Sequence, residues 1–115
     1  MRRGDIVWVD LDPAMGNEAS KRRPAVVVSN DGANRAASAL GRGVVTVVPV
    51  TSNTGRSYPF QVLLPARSSG LPKVSKAQAE QVRTVAVERV GEVVGHLPAN
   101  LVGALDDALR LHLAL

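Results

Sequence analysis

Two short stretches of this 115-residue chain carry side chains able to handle a phosphate. The first is Lys21-Arg22-Arg23, which closes a polar segment beginning at Gly16 and runs directly into Pro24. A guanidinium on the last residue of an exposed loop, just ahead of a stiff Pro-led strand, presents a fork of N–H donors that fits a phosphate bidentately. A guanidinium keeps its proton across the physiological range, so it stabilises an anion far better than it carries a proton. The second stretch is Thr51-Ser52-Asn53, at the end of an apolar run, where a hydroxyl can donate to a non-bridging phosphate oxygen. Glu18 shares the loop with Arg23 and can accept a proton, or pair with Arg23 and orient it. Plainer readings fit the same residues: a solvated basic loop, a polar turn and a surface carboxylate.

Charge distribution bears on that choice. From Gly32 to Ala79 the chain has Arg35, Arg42, Arg56, Arg67, Lys73 and Lys76 and no acidic residue, within a formal net charge of +4. Uncompensated positive charge over such a segment suits a polyanion-binding face, although charges scattered over a closed fold would look the same in sequence. The chain has no Cys, which removes disulfides, thiolate metal ligands and thiol nucleophiles from consideration. His96 and His112 are its two histidines and are read as incidental. No Gly-rich phosphate loop or dinucleotide fingerprint is present, so no cofactor and no metal is expected. The N-terminus lacks the features of a signal peptide, and no run approaches the ~20 apolar residues of a membrane span. A soluble, cytoplasmic single domain over residues 1–115 is therefore expected, with 45% apolar residues to build its core.

The elements that must position these side chains are mostly strands. Residues 5–11 are β-branched and aromatic and stop at Asp12-Pro13; 24–28 form a short apolar strand; 44–50 form another, with Pro49 implying a bulge or a sheet edge. Residues 16–23 and 65–72 read as loops, and Ser29-Asn30-Asp31 as the cap of a brief helix ending at Gly41. Phe60 to Leu64 alternates as a half-buried strand, and two further short strands are expected around Val74 and from Glu80 to Val85. Leu101, Leu105, Leu109 and Leu113 fall on one face of a helix starting at Pro98. Five or six strands with a terminal helix predict a mainly β (α+β) small barrel or rolled sheet. Trp8 and Phe60 read as core residues.

The blocks Gly4-Asp5-Ile6-Val7-Trp8-Val9-Asp10-Leu11-Asp12-Pro13, Gly16-Asn17-Glu18 and Arg23-Pro24-Ala25-Val26-Val27-Val28-Ser29 resemble the MazF/PemK family of toxin endoribonucleases. Val48-Pro49-Val50-Thr51-Ser52, Tyr58-Pro59-Phe60-Gln61-Val62 and Gln81-Val82-Arg83-Thr84 continue the likeness to about Arg89. The resemblance implies an SH3-like barrel with short helices and a C-terminal helix, a homodimer, and neutralisation by a cognate, acidic MazE-like antitoxin. It further implies metal-independent cleavage of single-stranded RNA at short motifs by 2′-OH transesterification, with Arg23 as the main catalytic residue and Thr51 as a hydrogen-bond donor to the phosphate.

Such chemistry requires deprotonation of the 2′-OH, protonation of the leaving 5′-oxygen and stabilisation of the phosphorane. Glu18 is the candidate base beside Arg23 and Thr51. Candidate RNA contacts are Asn17, Ser20, Lys21, Arg22, Ser52, Asn53, Arg67, Gln81 and Arg83. With only Trp8, Tyr58 and Phe60 aromatic, the grip on RNA must come from phosphate contacts and base-edge hydrogen bonds rather than stacking. Leu11 stands where some members of the family carry an aromatic. Two alternatives share the fold: a non-catalytic toxin that binds a topoisomerase, and a passive RNA-binding module.

Overall fold

The protein, a computed structural model, is described here over residues 1–12 and 21–115, so Asn17, Glu18 and Ser20 lie outside the described residues. Among the described residues seven strands and three helices follow one another as β1 (Asp5–Asp12), β2 (Lys21–Val27), α1 (Asp31–Leu40), β3 (Val44–Thr51), β4 (Gln61–Leu64), α2 (Ala66–Ser69), β5 (Ser75–Gln78), β6 (Arg83–Ala86), β7 (Val90–His96) and α3 (Ala99–Leu113). Single 3-10 turns sit at Ala79–Gln81 and Val87–Arg89. All pairings are antiparallel, in the order β4-β5-β3-β2-β1-β7, with β6 on β3.

The mainly β architecture with a C-terminal helix is as expected, but the sheet is not closed: β4 and β7 are its ends and do not pair. One edge of β3 is divided between two partners. β6 takes Val44–Val47 and β5 takes Val50 and Thr51. Pro49 falls between them, where the missing N–H interrupts neither ladder.

Both faces of the central strands are buried, which explains the unbroken apolar runs. Ile6, Val26, Val48 and Val50 enter a core completed by Leu64, Leu97, Leu105 and Ala108. Val7, Val9, Ala25, Val27, Val45 and Val47 enter a second core against Ala37 and Val85. Asn30 caps α1 through Ala33 N–H at 2.8 Å, and Gly41 ends it in the left-handed conformation at φ 66°. Buried Asn34 then ties α1 to the sheet. Its carbonyl oxygen accepts from Ser29 Oγ at 2.5 Å, and that hydroxyl accepts from Thr46 N–H at 3.1 Å.

Several local expectations need correction. Lys21, Arg22 and Arg23 belong to β2 rather than to a loop, because β1 pairs with them as far as Lys21. Residues 66–69 are helical, bounded by Pro65 and left-handed Gly70. The strand expected from Glu80 is split by the 3-10 turn before β6, and β7 was not anticipated. Its two glycines and largely exposed side chains hide it from any hydrophobic pattern. On α3, Leu105 is buried and Leu101 and Leu109 pack on the core, but Leu113 is 48% exposed, one turn beyond it. Trp8 and Phe60, expected in the core, are only half-buried. His96 is not incidental: its Nδ1 lies 2.7 Å from Oδ1 of buried Asp5, joining β7 to β1.

Candidate active site

Alternation along β2 and β3 builds the site. In β2, Val27 and Ala25 point into the second core, and the next position on that face is Arg23. In β3, Val45 and Val47 point the same way, followed by Pro49 and Thr51. The register pairs Val27 with Val47 and Ala25 with Pro49; carried on by two residues it sets Arg23 against Thr51, and both line the same cavities. An apolar face therefore changes to a cation and a hydroxyl where the core meets solvent.

A cavity of about 330 Å³ opens there, lined by Leu11, Arg23, Pro49, Thr51, Gln78, Gln81 and Arg83. Around the same strand ends, on the opposite face, a second cavity of about 220 Å³ includes Trp8, Arg22, Pro24, Ser52, Leu71 and Lys73, again with Arg23 and Thr51. These two residues thus form the divide between the cavities. Among the described lining residues Arg22, Arg23, Lys73 and Arg83 are cationic and none is acidic. The field at the divide therefore favours an anion.

Thr51 is held for donation. Its Oγ accepts from Asn53 N–H at 3.2 Å, and among the described residues nothing takes the hydroxyl proton, which can serve an incoming acceptor. Arg22 points to the other face, its guanidinium 5.9 Å from the Trp8 ring centroid, an arrangement that restrains both side chains. Gly91 of β7 leaves the room for it, since a Cβ there would come within 2.8 Å of Arg22 Nη2.

Of the expected site residues, Arg22, Arg23, Thr51, Ser52, Gln81 and Arg83 thus come together around the two cavities. Asn53 is engaged in the turn, its Oδ1 accepting from Gly55 N–H at 3.4 Å. Arg67 lies on α2 and lines neither cavity. Lys21 is placed by its backbone as the first residue of β2. Among the six basic residues of the acid-free segment, Lys73 reaches the site. Lys76 is instead 7% exposed, with Nζ donating to the Arg56 carbonyl. Sequence reasoning missed Trp8, Lys73 and Gln78 as lining residues. The two cavities join chain segments too far apart for spacing to reveal. Among the described residues no group of three or more His, Cys, Asp or Glu is arranged to hold a metal ion.

Comparison with known proteins identifies the family and the fold. Residues 2–113 match the family of PemK-like, MazF-like toxins of type II toxin–antitoxin systems. The chain is 60% identical over 115 residues to endoribonuclease MazF9 of Mycobacterium tuberculosis, covering 100% of this chain and 98% of that protein. It is 30% identical to endoribonuclease EndoA of Bacillus subtilis, covering 100% and 96% of the two chains. Among solved structures, a MazE–MazF complex from Deinococcus radiodurans superposes with a TM-score of 0.80 at 30% identity, over 100% of this chain and 96% of that one. With almost its whole length matched by the family and its relatives aligned end to end, this chain belongs to the PemK-like, MazF-like toxins of type II toxin–antitoxin systems.

Proposed function

We propose that this protein is a sequence-specific endoribonuclease toxin that cuts single-stranded RNA by transesterification, without a metal, and so blocks translation and growth. The observation that carries the reading is the meeting of Arg23 and Thr51 at the divide between two cationic cavities. A phosphodiester laid across that divide would have a nucleotide on each side of it. The 2′-oxygen attacks phosphorus, its proton passes to a base, and the P–O5′ bond breaks as the leaving oxygen takes up a proton. The products are a 2′,3′-cyclic phosphate and a 5′-hydroxyl. Arg23 neutralises charge on the phosphorane, and the Thr51 hydroxyl donates to a non-bridging oxygen. Glu18 is the proposed base.

Arg22, Lys73 and Arg83 hold the backbone on either side, while Ser52 and Gln81 supply hydrogen bonds. Phosphate contacts outweigh stacking here, so binding weakens steeply with salt. A cognate antitoxin would present an acidic, extended segment to the same cations and block RNA directly. The relative solved with MazE supports this expectation. We further propose a homodimer, because Leu111 and Leu113 at the end of α3, with Leu115 just beyond it, are apolar and 59%, 48% and 85% exposed.

The test is incubation of the purified protein with end-labelled mixed-sequence RNA, and with matching DNA, in excess EDTA. Discrete RNA fragments ending in cyclic phosphate, absent with DNA and with Arg23→Ala, are expected. Intact RNA would overturn the reading and favour a non-catalytic toxin of this fold. Simultaneous binding of RNA and antitoxin would refute direct occlusion.

A further inference from the structure

Gln78 is the last residue of β5 and caps the 3-10 turn that follows without using its side chain. That side chain is half-buried and lines the 330 Å³ cavity beside Arg23 and Thr51. Neither its NH₂ nor its carbonyl oxygen has a partner among the described residues. The contrast with Gln61, its cross-strand partner in β4, is sharp. Gln61 donates to Glu80 Oε2 at 2.6 Å and accepts from Tyr58 N–H at 3.3 Å, so both ends of its amide are engaged in holding the fold. The polar atoms of Gln78 stay open to the cavity rather than sealed in the core, so a ligand that enters must match them or forfeit the hydrogen bonds they make to solvent.

We propose that Gln78 is a specificity-determining residue that reads the edge of a base flanking the cut. The inference rests on the ribonuclease reading above and deepens it. A carboxamide places one donor and one acceptor side by side, which matches the paired donor and acceptor of a base edge. A phosphate offers acceptors only and would leave the Gln78 carbonyl unmatched, while Arg23 and Arg83 in the same cavity suit it far better. The buried side chains of Leu11 and Pro49 supply apolar wall in that cavity, against which a flat base can lie. Gln81 also lines the cavity but is exposed, so water competes for its amide. In the half-buried position a mismatched base leaves both partners unsatisfied, and this is what makes hydrogen-bond readout selective.

The experiment sequences the cleavage products of a randomised RNA pool cut in EDTA by the wild type, Gln78→Met and Gln78→Ala. Methionine keeps the length of the side chain and removes both polar groups; alanine also removes the bulk. Both variants are expected to melt within a few degrees of the wild type. The preferred sequence should lose about 10- to 100-fold in kcat/KM, with substrates changed at one flanking position losing little, so that preference collapses at that position alone. Unchanged preference at every position, with rates either kept or lowered uniformly, would overturn the role of Gln78 and leave the ribonuclease reading intact. RNA left whole by the wild type would overturn that reading, and this one with it.

Discussion

Replacing Thr51 by valine separates its chemical role from its structural one. Valine is nearly isosteric, so what is lost is the hydroxyl, and among the described residues that hydroxyl makes one hydrogen bond, accepting from Asn53 N–H at 3.2 Å. Asn53 is exposed, so water can satisfy the freed N–H, and the stability cost should stay near the ~0.5–1.5 kcal/mol of an ordinary hydrogen bond. For a domain of this size that lowers Tm by only about 2–8 °C. The cost to catalysis is of another order. A preorganised donor to charge developing in the transition state is worth about 10²–10³ in rate, or ~2.7–4 kcal/mol. Steady-state cleavage of a fluorogenic RNA in EDTA should therefore show kcat reduced by about 10²–10³ with KM little changed, since the donor acts mainly in the transition state. Thr51→Ser should restore most of kcat, because it keeps the donor and the acceptor of the Asn53 contact. Cleavage by Thr51→Val within about threefold of wild type would refute the reasoning; an equal loss in Thr51→Ser would mean that packing rather than the hydroxyl matters.

Arg23→Ala should abolish measurable cleavage, and Arg23→Lys should fall between it and the wild type, because lysine keeps the charge but loses the planar fork; equal rates for lysine and arginine would argue against bidentate phosphate contact. Gly95→Ala drives a Cβ into the Ser69 carbonyl oxygen, which is backbone and cannot swing away, so a loss of about 3 kcal/mol is expected in urea unfolding. The Asp31 carboxyl is held below its ordinary pKa chiefly by the Arg3 N–H, which donates to it at 2.7 Å. Its contribution is therefore present above the ordinary carboxylate range and is lost as pH falls through the lowered value. Melts of wild type and Asp31→Asn should accordingly converge as the solution is acidified from about pH 5. A difference that grows on acidification would refute the assignment. RNA affinity should fall with salt at about 0.7 log units per log unit for each phosphate held, and Lys73→Ala should lower that slope.

Much of the architecture was legible in local pattern. The Val-rich runs announced strands buried on both faces, Asn30 and Gly41 bounded α1, and the four-residue leucine spacing announced α3. β7 was not legible, because its Val-Gly-Glu-Val-Val-Gly-His sequence carries little burial signal and its place is decided by pairing with β1. Whether the sheet closes into a barrel was not decided by sequence either, and it does not close. Whether terminal strands meet depends on how far the sheet coils, a property of the whole assembly rather than of any segment.

The residue types at Arg23 and Thr51 already stated a phosphate chemistry, and the ordered motif blocks stated a family. That information is local, since a guanidinium fork and a hydroxyl keep their character wherever they stand. What tertiary structure decided is their company. Arg23 and Thr51 meet because β2 and β3 pair in one register, in which a one-residue slip would turn every side chain of a strand to the opposite face. Gln78 joins them from β5 on the other side of β3, and Trp8 with Lys73 faces the second cavity. Arg67 and Lys76, equally basic in sequence, are turned to a helix surface and into the fold. Charge composition has no direction; the pairing of strands supplies it.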